Sequence, residues 1–180
     1  KPFPQGVALH VHDVAVIGAG VMGSGIAHWI ASKGHHVLMQ DISTQSLASG
    51  LTRVRGLLHE GVKRRSLTER DMRDSLDRIT LEHQPVPLGR YPIVIEAATE
   101  DMELKKKIFA ELDKAVQASA ILATNTSYLD IDEIASATQR PTQVLGLHFF
   151  SPAHIMKLLE VVRGKATAQD VMDACLAVGT

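Results

Sequence analysis

The sequence predicts an α/β fold, a doubly wound and mostly parallel sheet with a helical hairpin inserted after the second strand. Three observations point there. Apolar, β-branched runs alternate along the chain with stretches that are apolar at helical spacing, the pattern of strand–helix–strand crossovers. The first run, Val14 to Ile17, passes directly into Gly18, Gly20 and Gly23, at the G-x-G-x-x-G spacing of a strand, a tight turn and a helix. The side chains able to do chemistry follow the ends of predicted strands, which in such a sheet brings them to one edge.

Length and composition narrow the class. The chain has 180 residues, 45% of them apolar and 22% charged, with a formal net charge of −1. That suits one globular domain and is too short for two full ones. The near-neutral balance gives no reason to expect nucleic acid or an acidic membrane surface as a partner. No apolar run approaches the roughly 18 residues that a membrane span needs. A single cysteine, Cys175, excludes an internal disulfide framework and favours a reducing compartment. A cytoplasmic, bacterial-type location is therefore expected, with mitochondrial or peroxisomal placement left open. Lys1 to Gly6, with Pro2, Pro4 and Gly6, has no signal-peptide core and reads as a linker. Residues 1–12 are thus expected to be a tail and 13–180 the folded domain. The absence of a starting Met suggests a piece of something longer.

The elements follow in order. The glycines of the first turn have separate tasks: Gly18 permits the turn, Gly20 lets a pyrophosphate approach the backbone, and Gly23 lets helix and strand pack closely. The amides of the first helical turn, from Val21 and Met22 on, face the phosphates with the positive end of the helix dipole. Ile26, Ala27, Ile30 and Ala31 give this helix its apolar stripe, and Gly34 suits its C-cap. The second strand, from His36, ends in Asp41, 23 residues after Gly18. That is where an acid accepts from ribose hydroxyls and repels a 2′-phosphate, so NAD is favoured over NADP. The alternative is that Asp41 only turns the strand end.

Ser43 to Asp77 reads as a helical hairpin, its second helix opened by a capping box at Ser66-Leu-Thr-Glu69. Lys63, Arg64 and Arg65 form its tip. A basic tip can contact the phosphates of a large anionic substrate; a solvated helix end favoured by the dipole reads at least as well. Arg78 to Leu81 is a short strand, and Pro85, Pro87, Gly89 and Pro92 mark a loop. Ile93 to Glu100 is an apolar strand running into two acids, followed by an amphipathic helix from Met102 to Val116. Lys105, Lys106 and Lys107 stand in its first half, where cations oppose the dipole, so at least one is expected to serve a ligand. Ile121 to Thr124 is a strand leading to Asn125 and Ser127. A short helix over Ile131–Ala137, strands over Thr142–Leu147 and Lys157–Val162 and a helix from Ala168 to Val178 complete the chain.

Oxidising an alcohol with a nicotinamide needs a base for the hydroxyl proton. His148, placed at a strand end, is the natural candidate, because imidazole takes up and returns protons near neutrality. Glu160, twelve residues on, sits in Met156 to Val162, a strand otherwise almost wholly apolar. A charge there needs a partner, and His148 is available to it. A structural histidine is the bland alternative, since the chain has nine. No metal site is expected.

Four segments together resemble the NAD-binding domain of L-3-hydroxyacyl-CoA dehydrogenases: Gly18 to Ala27, Ile95 to Glu100, Thr124 to Leu129, and Gly146 to Val161 with its Gly-Leu-His-Phe-Phe-Ser-Pro-Ala-His core. The last is the most specific, and its form is most similar to the dehydrogenase part of fused hydratase/dehydrogenase proteins of β-oxidation. The resemblance implies a Rossmann domain that oxidises L-3-hydroxyacyl-CoA to 3-ketoacyl-CoA, with His148 as base and Glu160 orienting it. Ser127 would hydrogen-bond the substrate oxygen beside the nicotinamide. Gly18, Gly20, Val21, Met22 and Gly23 would cover the pyrophosphate, and Asp41 would hold the ribose. Glu100, Lys105 and Asn125 would line the nicotinamide half, and the hairpin around Lys63 would lie along coenzyme A. Ser151 stands where many relatives have Asn, so an amide contact to the cofactor carries over with a shorter side chain. The family's all-helical C-terminal domain, which completes the cleft and mediates dimerisation, is not found in these residues. A dehydrogenase of small 3-hydroxy acids and an inactive nucleotide-binding module are the alternatives.

Overall fold

The computed structural model describes residues 13–150 and 158–178; the expected tail over residues 1–12 and the position of Ser151 lie outside them. Seven strands form one sheet in the order β3-β2-β1-β4-β5-β6-β7. These are β1 (Asp13–Ile17), β2 (His36–Gln40), β3 (Ile79–Glu82), β4 (Ile93–Glu96), β5 (Ile121–Thr124), β6 (Val144–Phe149) and β7 (Leu159–Val162). The first six are parallel. The chain moves outward in one direction from β1 to β3, then returns and moves outward the other way from β4. The crevice between β1 and β4, beyond their carboxyl ends, is therefore the switch point where such sheets take ligands.

Alternation of side chains along the strands builds two cores. Val14 and Val16 of β1 join Met39, Ile95, Ala123 and Leu147 on the face covered by α1 (Val21–Ser32) and α6 (Gln169–Val178). Ala15 joins Leu38, Val94, Leu122 and Val144 on the other face, under Phe109 of α4 (Met102–Ala115) and Ile134 of α5 (Ile131–Ala135). Strands apolar on both faces are what a sheet covered on both sides requires. Among the described residues no helix is long and apolar enough to cross a membrane.

The hairpin after β2 is present as α2 (Thr44–Lys63) and α3 (Glu69–Asp77), but its internal signal differs from the expectation. Thr68, not Ser66, caps α3, and its box partner is Asp71. Ser66 instead donates its hydroxyl to the Gly61 carbonyl at 3.0 Å, closing the end of α2. Gly34 follows α1 with φ +96, the left-handed conformation a helix end takes at low cost with glycine.

Two strand boundaries also moved, for tertiary reasons. The strand expected to run to Glu100 stops at Glu96, because the Glu96 carboxylate accepts the Ala98 N–H at 2.7 Å and turns the chain out of the ladder. The strand expected to end before His148 runs on through Phe149. It is extended by the antiparallel neighbour β7, in which Glu160 is the register partner of His148.

Candidate functional site

The glycine turn is held from below and from both sides. Gly18 has φ +105, donates to the Gln40 carbonyl at 2.7 Å, and lies so close to the loop after β4 that a Cβ would stand 2.7 Å from the Ala97 carbonyl oxygen. A Cβ on Gly23 would fall 1.9 Å from the Gly18 carbonyl oxygen, so turn and helix meet backbone to backbone. Gly20 is different. Its φ of −67 is open to any residue, and nothing lies within 4 Å of where its Cβ would be. Neither backbone strain nor protein packing calls for glycine there, and the space beside it is open. The helix behind it has no side-chain cap and no acid in its first turn, which leaves its amides and positive dipole end available to an anion. Val21 is exposed beside this space, while Met22 packs against the core.

Asp41 braces the same turn. Its Oδ2 accepts the Ala19 N–H at 2.9 Å and its Oδ1 accepts the Ser43 N–H at 2.9 Å. It therefore does turn the strand end, while standing half-buried beside the glycines with carboxylate lone pairs to spare. The Ala19 carbonyl accepts from Arg53 of α2 at 3.3 Å, a contact between residues 34 apart that no local pattern signals.

On the β4 side lies a buried polar cluster. Glu96 and Lys105 are both fully buried, with Lys105 Nζ at 2.8 and 2.9 Å from the two Glu96 oxygens. Thr124 at the end of β5 donates its hydroxyl to Glu96 at 2.7 Å. Lys105 thus lies inside this cluster. The lysine that opposes the helix dipole is enclosed in the protein and held by Glu96, with the Ala98 carbonyl 3.4 Å and Glu100 Oε2 3.6 Å from its Nζ. Lys106 pairs with Glu103 and Glu133. The signal for Glu96 was there: it is a charge at the end of an apolar strand, the same pattern that drew attention to Glu160.

Glu100 gathers the neighbouring loop. Its Oε1 accepts from the Ser127 N–H at 2.7 Å, the Thr126 hydroxyl at 3.0 Å and the Ser127 hydroxyl at 3.2 Å. Partial burial pushes its carboxyl upward. The hydrogen bonds from Ser127 and Thr126 and the charge of Lys105 outweigh this and hold it below the usual carboxylate range. Asn125 accepts the Phe149 N–H at 2.8 Å, tying the Ser127 loop to the strand that carries His148. His148 Nδ1 lies 3.1 Å from Glu160 Oε2, across the β6–β7 pair, and its ring packs on Phe150 with centroids 4.6 Å apart.

The structure thus brings Gly18–Gly23, Asp41, Glu100, Asn125, Ser127 and the His148–Glu160 pair to the carboxyl edge of one sheet. It does not connect Lys63 to them. That side chain is exposed at the end of α2 and pairs with Glu60 at 3.5 Å. Cys175 is buried, and burial pushes its thiol up to about 12, so it is inert.

Residues 13–180 match the family described as "3-hydroxyacyl-CoA dehydrogenase, NAD binding domain". The chain is similar to the fatty acid oxidation complex subunit alpha of Acinetobacter baylyi, 40% identical over 162 residues that cover 90% of this chain and 23% of that protein. It is 42% identical to 3-hydroxyadipyl-CoA dehydrogenase of Escherichia coli, over 92% of this chain and 35% of that protein. Among solved structures, (S)-3-hydroxybutyryl-CoA dehydrogenase from Ralstonia eutropha superposes with a TM-score of 0.91 at 38% identity, covering 94% of this chain and 60% of that one. The chain therefore spans about a quarter to a third of the length of these curated relatives.

The glycines give a paired prediction. Gly20→Ala should leave the melting temperature within a degree or two but weaken NADH binding, because only the ligand's space is filled. Gly23→Ala should lower stability by about 2 kcal/mol or more, because backbone must move. Equal melting temperatures for the two variants would contradict the distinct tasks assigned to them.

Proposed function

The chain belongs to the 3-hydroxyacyl-CoA dehydrogenase family, as its NAD-binding domain, and from that premise we propose that it carries the proton-transfer machinery for oxidising an L-3-hydroxyacyl-CoA to the 3-ketoacyl-CoA in β-oxidation. The observation that carries the reading is the His148–Glu160 contact of 3.1 Å at directly opposed positions of an antiparallel pair.

A carboxylate can only accept, so Glu160 fixes the His148 tautomer with Nδ1–H donating and leaves Nε2 as the free basic nitrogen. Glu160 also stabilises the imidazolium that forms once Nε2 has taken the 3-hydroxyl proton. Bound NAD supplies the acceptor for the hydride that leaves C3. Ser127 meets the substrate oxygen from the other side. Its position relative to His148 is set through Asn125, whose side chain holds the residue after His148.

The residues fit the cofactor. The open space at Gly20 and the uncapped first turn of α1 would hold the pyrophosphate through backbone amides. Asp41 accepts from the adenosine ribose hydroxyls and disfavours a 2′-phosphate. Glu100, Asn125 and Ser127 border the nicotinamide half, with Lys105 acting through Glu100. Ser151 would add a contact there, and the α2–α3 tip at Lys63 would meet coenzyme A. The remainder of the acyl-CoA cleft, and dimerisation, would fall to parts of the protein outside these residues.

In the full-length protein, His148→Gln should lower turnover on 3-hydroxyacyl-CoA by about 10²–10⁴-fold with little change in NADH affinity. Near wild-type turnover would remove His148 from the mechanism. Wild-type turnover on a free 3-hydroxy acid exceeding that on its CoA thioester would replace the substrate assignment, and NADH binding without turnover on either would leave only a nucleotide-binding module. In a separate titration, NADH should bind more tightly than NADPH, and Asp41→Ala should narrow the gap; tighter NADPH binding by the wild type would contradict the role given to Asp41.

A further inference from the structure

The crevice that takes the dinucleotide is short of positive charge. Asp41 and Glu100 both border it, and the Lys105 ammonium is offset by the buried Glu96 carboxylate at 2.8 Å. A pyrophosphate carries a negative charge on each phosphate, and the dipole end of α1 is worth only about half an elementary charge. One cation does reach this place. Arg53, near the middle of α2, donates from Nη1 to the Ala19 carbonyl at 3.3 Å, one residue before Gly20. The helix is shaped to bring it there. Gly50 lies one turn earlier on the same face of α2, and a Cβ on it would stand 2.8 Å from the Ala19 carbonyl oxygen. Close approach of the backbone at Gly50 therefore sets the reach of Arg53 onto the turn.

Holding that carbonyl occupies one of the five guanidinium N–H donors, in a single contact longer than the usual hydrogen bond. The side chain is exposed. Among the described residues no carboxylate pairs with it, whereas Lys63 and Arg64 at the end of the same helix pair with Glu60. Asp41 spends its oxygens on the Ala19 and Ser43 N–H groups and leaves the guanidinium to other partners. We propose that Arg53 is a cofactor-binding residue, whose guanidinium takes the pyrophosphate of NAD from the α2 side while the first-turn amides of α1 hold it from theirs. A planar fork of donors suits phosphate oxygens, and its charge offsets the carboxylates that border the crevice. The inference rests on the placement of the pyrophosphate at the Gly20 turn. An arginine that only braced Ala19 would act on every ligand of the adenosine half; one that binds phosphate acts on ligands that carry the pyrophosphate.

The test is displacement of NADH from the full-length protein by ADP-ribose, which carries the pyrophosphate, and by adenosine, which does not. Arg53→Met keeps most of the side chain's length and removes its charge and donors. ADP-ribose should then bind about tenfold more weakly, the worth of one charge-assisted hydrogen bond at an exposed position. Adenosine should bind as before, with the melting temperature unchanged. Arg53→Lys, which keeps the charge without the fork, should fall between Arg53→Met and the wild type. Added salt should weaken ADP-ribose binding more in the wild type than in Arg53→Met. An equal loss for adenosine and ADP-ribose would make Arg53 a brace for the turn and overturn the inference. A loss seen only with NADPH would assign the guanidinium to a 2′-phosphate and overturn it too. Unchanged affinities in Arg53→Met, with ADP-ribose still weakened by Gly20→Ala, would overturn this inference alone. Unchanged ADP-ribose affinity in both variants would overturn the placement of the pyrophosphate, and this inference with it.

Discussion

The ion pair between Glu96 and Lys105 is the contact on which the rest of the crevice depends. Both side chains are fully buried, and each would carry a large desolvation cost alone. Together they join the carboxyl end of β4 to the first turns of α4, and Thr124 adds the end of β5. Because Glu96 also captures the Ala98 N–H, the pair dictates where the sheet's central strand stops. It also sets the path of the loop that follows. That path is shared with the glycine turn, since Gly18 sits against the Ala97 carbonyl with no room for a side chain. One buried charge pair thus fixes the wall of the cofactor crevice and, through Glu100, the loop bearing Ser127.

The two halves of the site are built by different means. At the glycine turn the working parts are backbone amides, and side chains from β2 and α2, Asp41 and Arg53, hold the Ala19 peptide by its N–H and its carbonyl. At the β5–β7 end the working parts are side chains. Their positions come from strand pairing: antiparallel register sets Glu160 opposite His148, and the Asn125 carboxamide stands in for a ladder bond to Phe149. The first arrangement suits holding phosphate, which needs dipoles at fixed points. The second suits moving a proton, which needs one imidazole nitrogen oriented and the other free.

Most of the fold was legible because its signals are local. Apolar strands, glycines at fixed spacing and amphipathic helices each depend on neighbours in sequence. The boundaries that moved were set from a distance. His148 lies within a strand because β7 pairs with it, and β4 ends early because Glu96 takes a backbone amide. The partner of Lys105 was hidden for the same reason: its sequence position shows a cation opposing a helix dipole but not the carboxylate that covers it. Glu160 and Glu96 carry the same signal, a lone charge in an apolar strand, and only the former stood near a histidine in sequence. The capping box was misplaced by two residues because Ser66 and Thr68 are both competent caps, and the choice between them is made by where α2 ends.

The central claim is that the buried pair positions the crevice rather than merely stabilising the domain. Replacing both members with neutral groups of similar size, Glu96→Gln with Lys105→Met, avoids a stranded charge and should leave the protein folded, as buried pairs often can be neutralised together. NADH affinity of this double variant measures the claim directly. It should fall by about tenfold or more, because Glu100 loses the cation that fixes it. A folded double variant that binds NADH as tightly as the wild type would contradict the account.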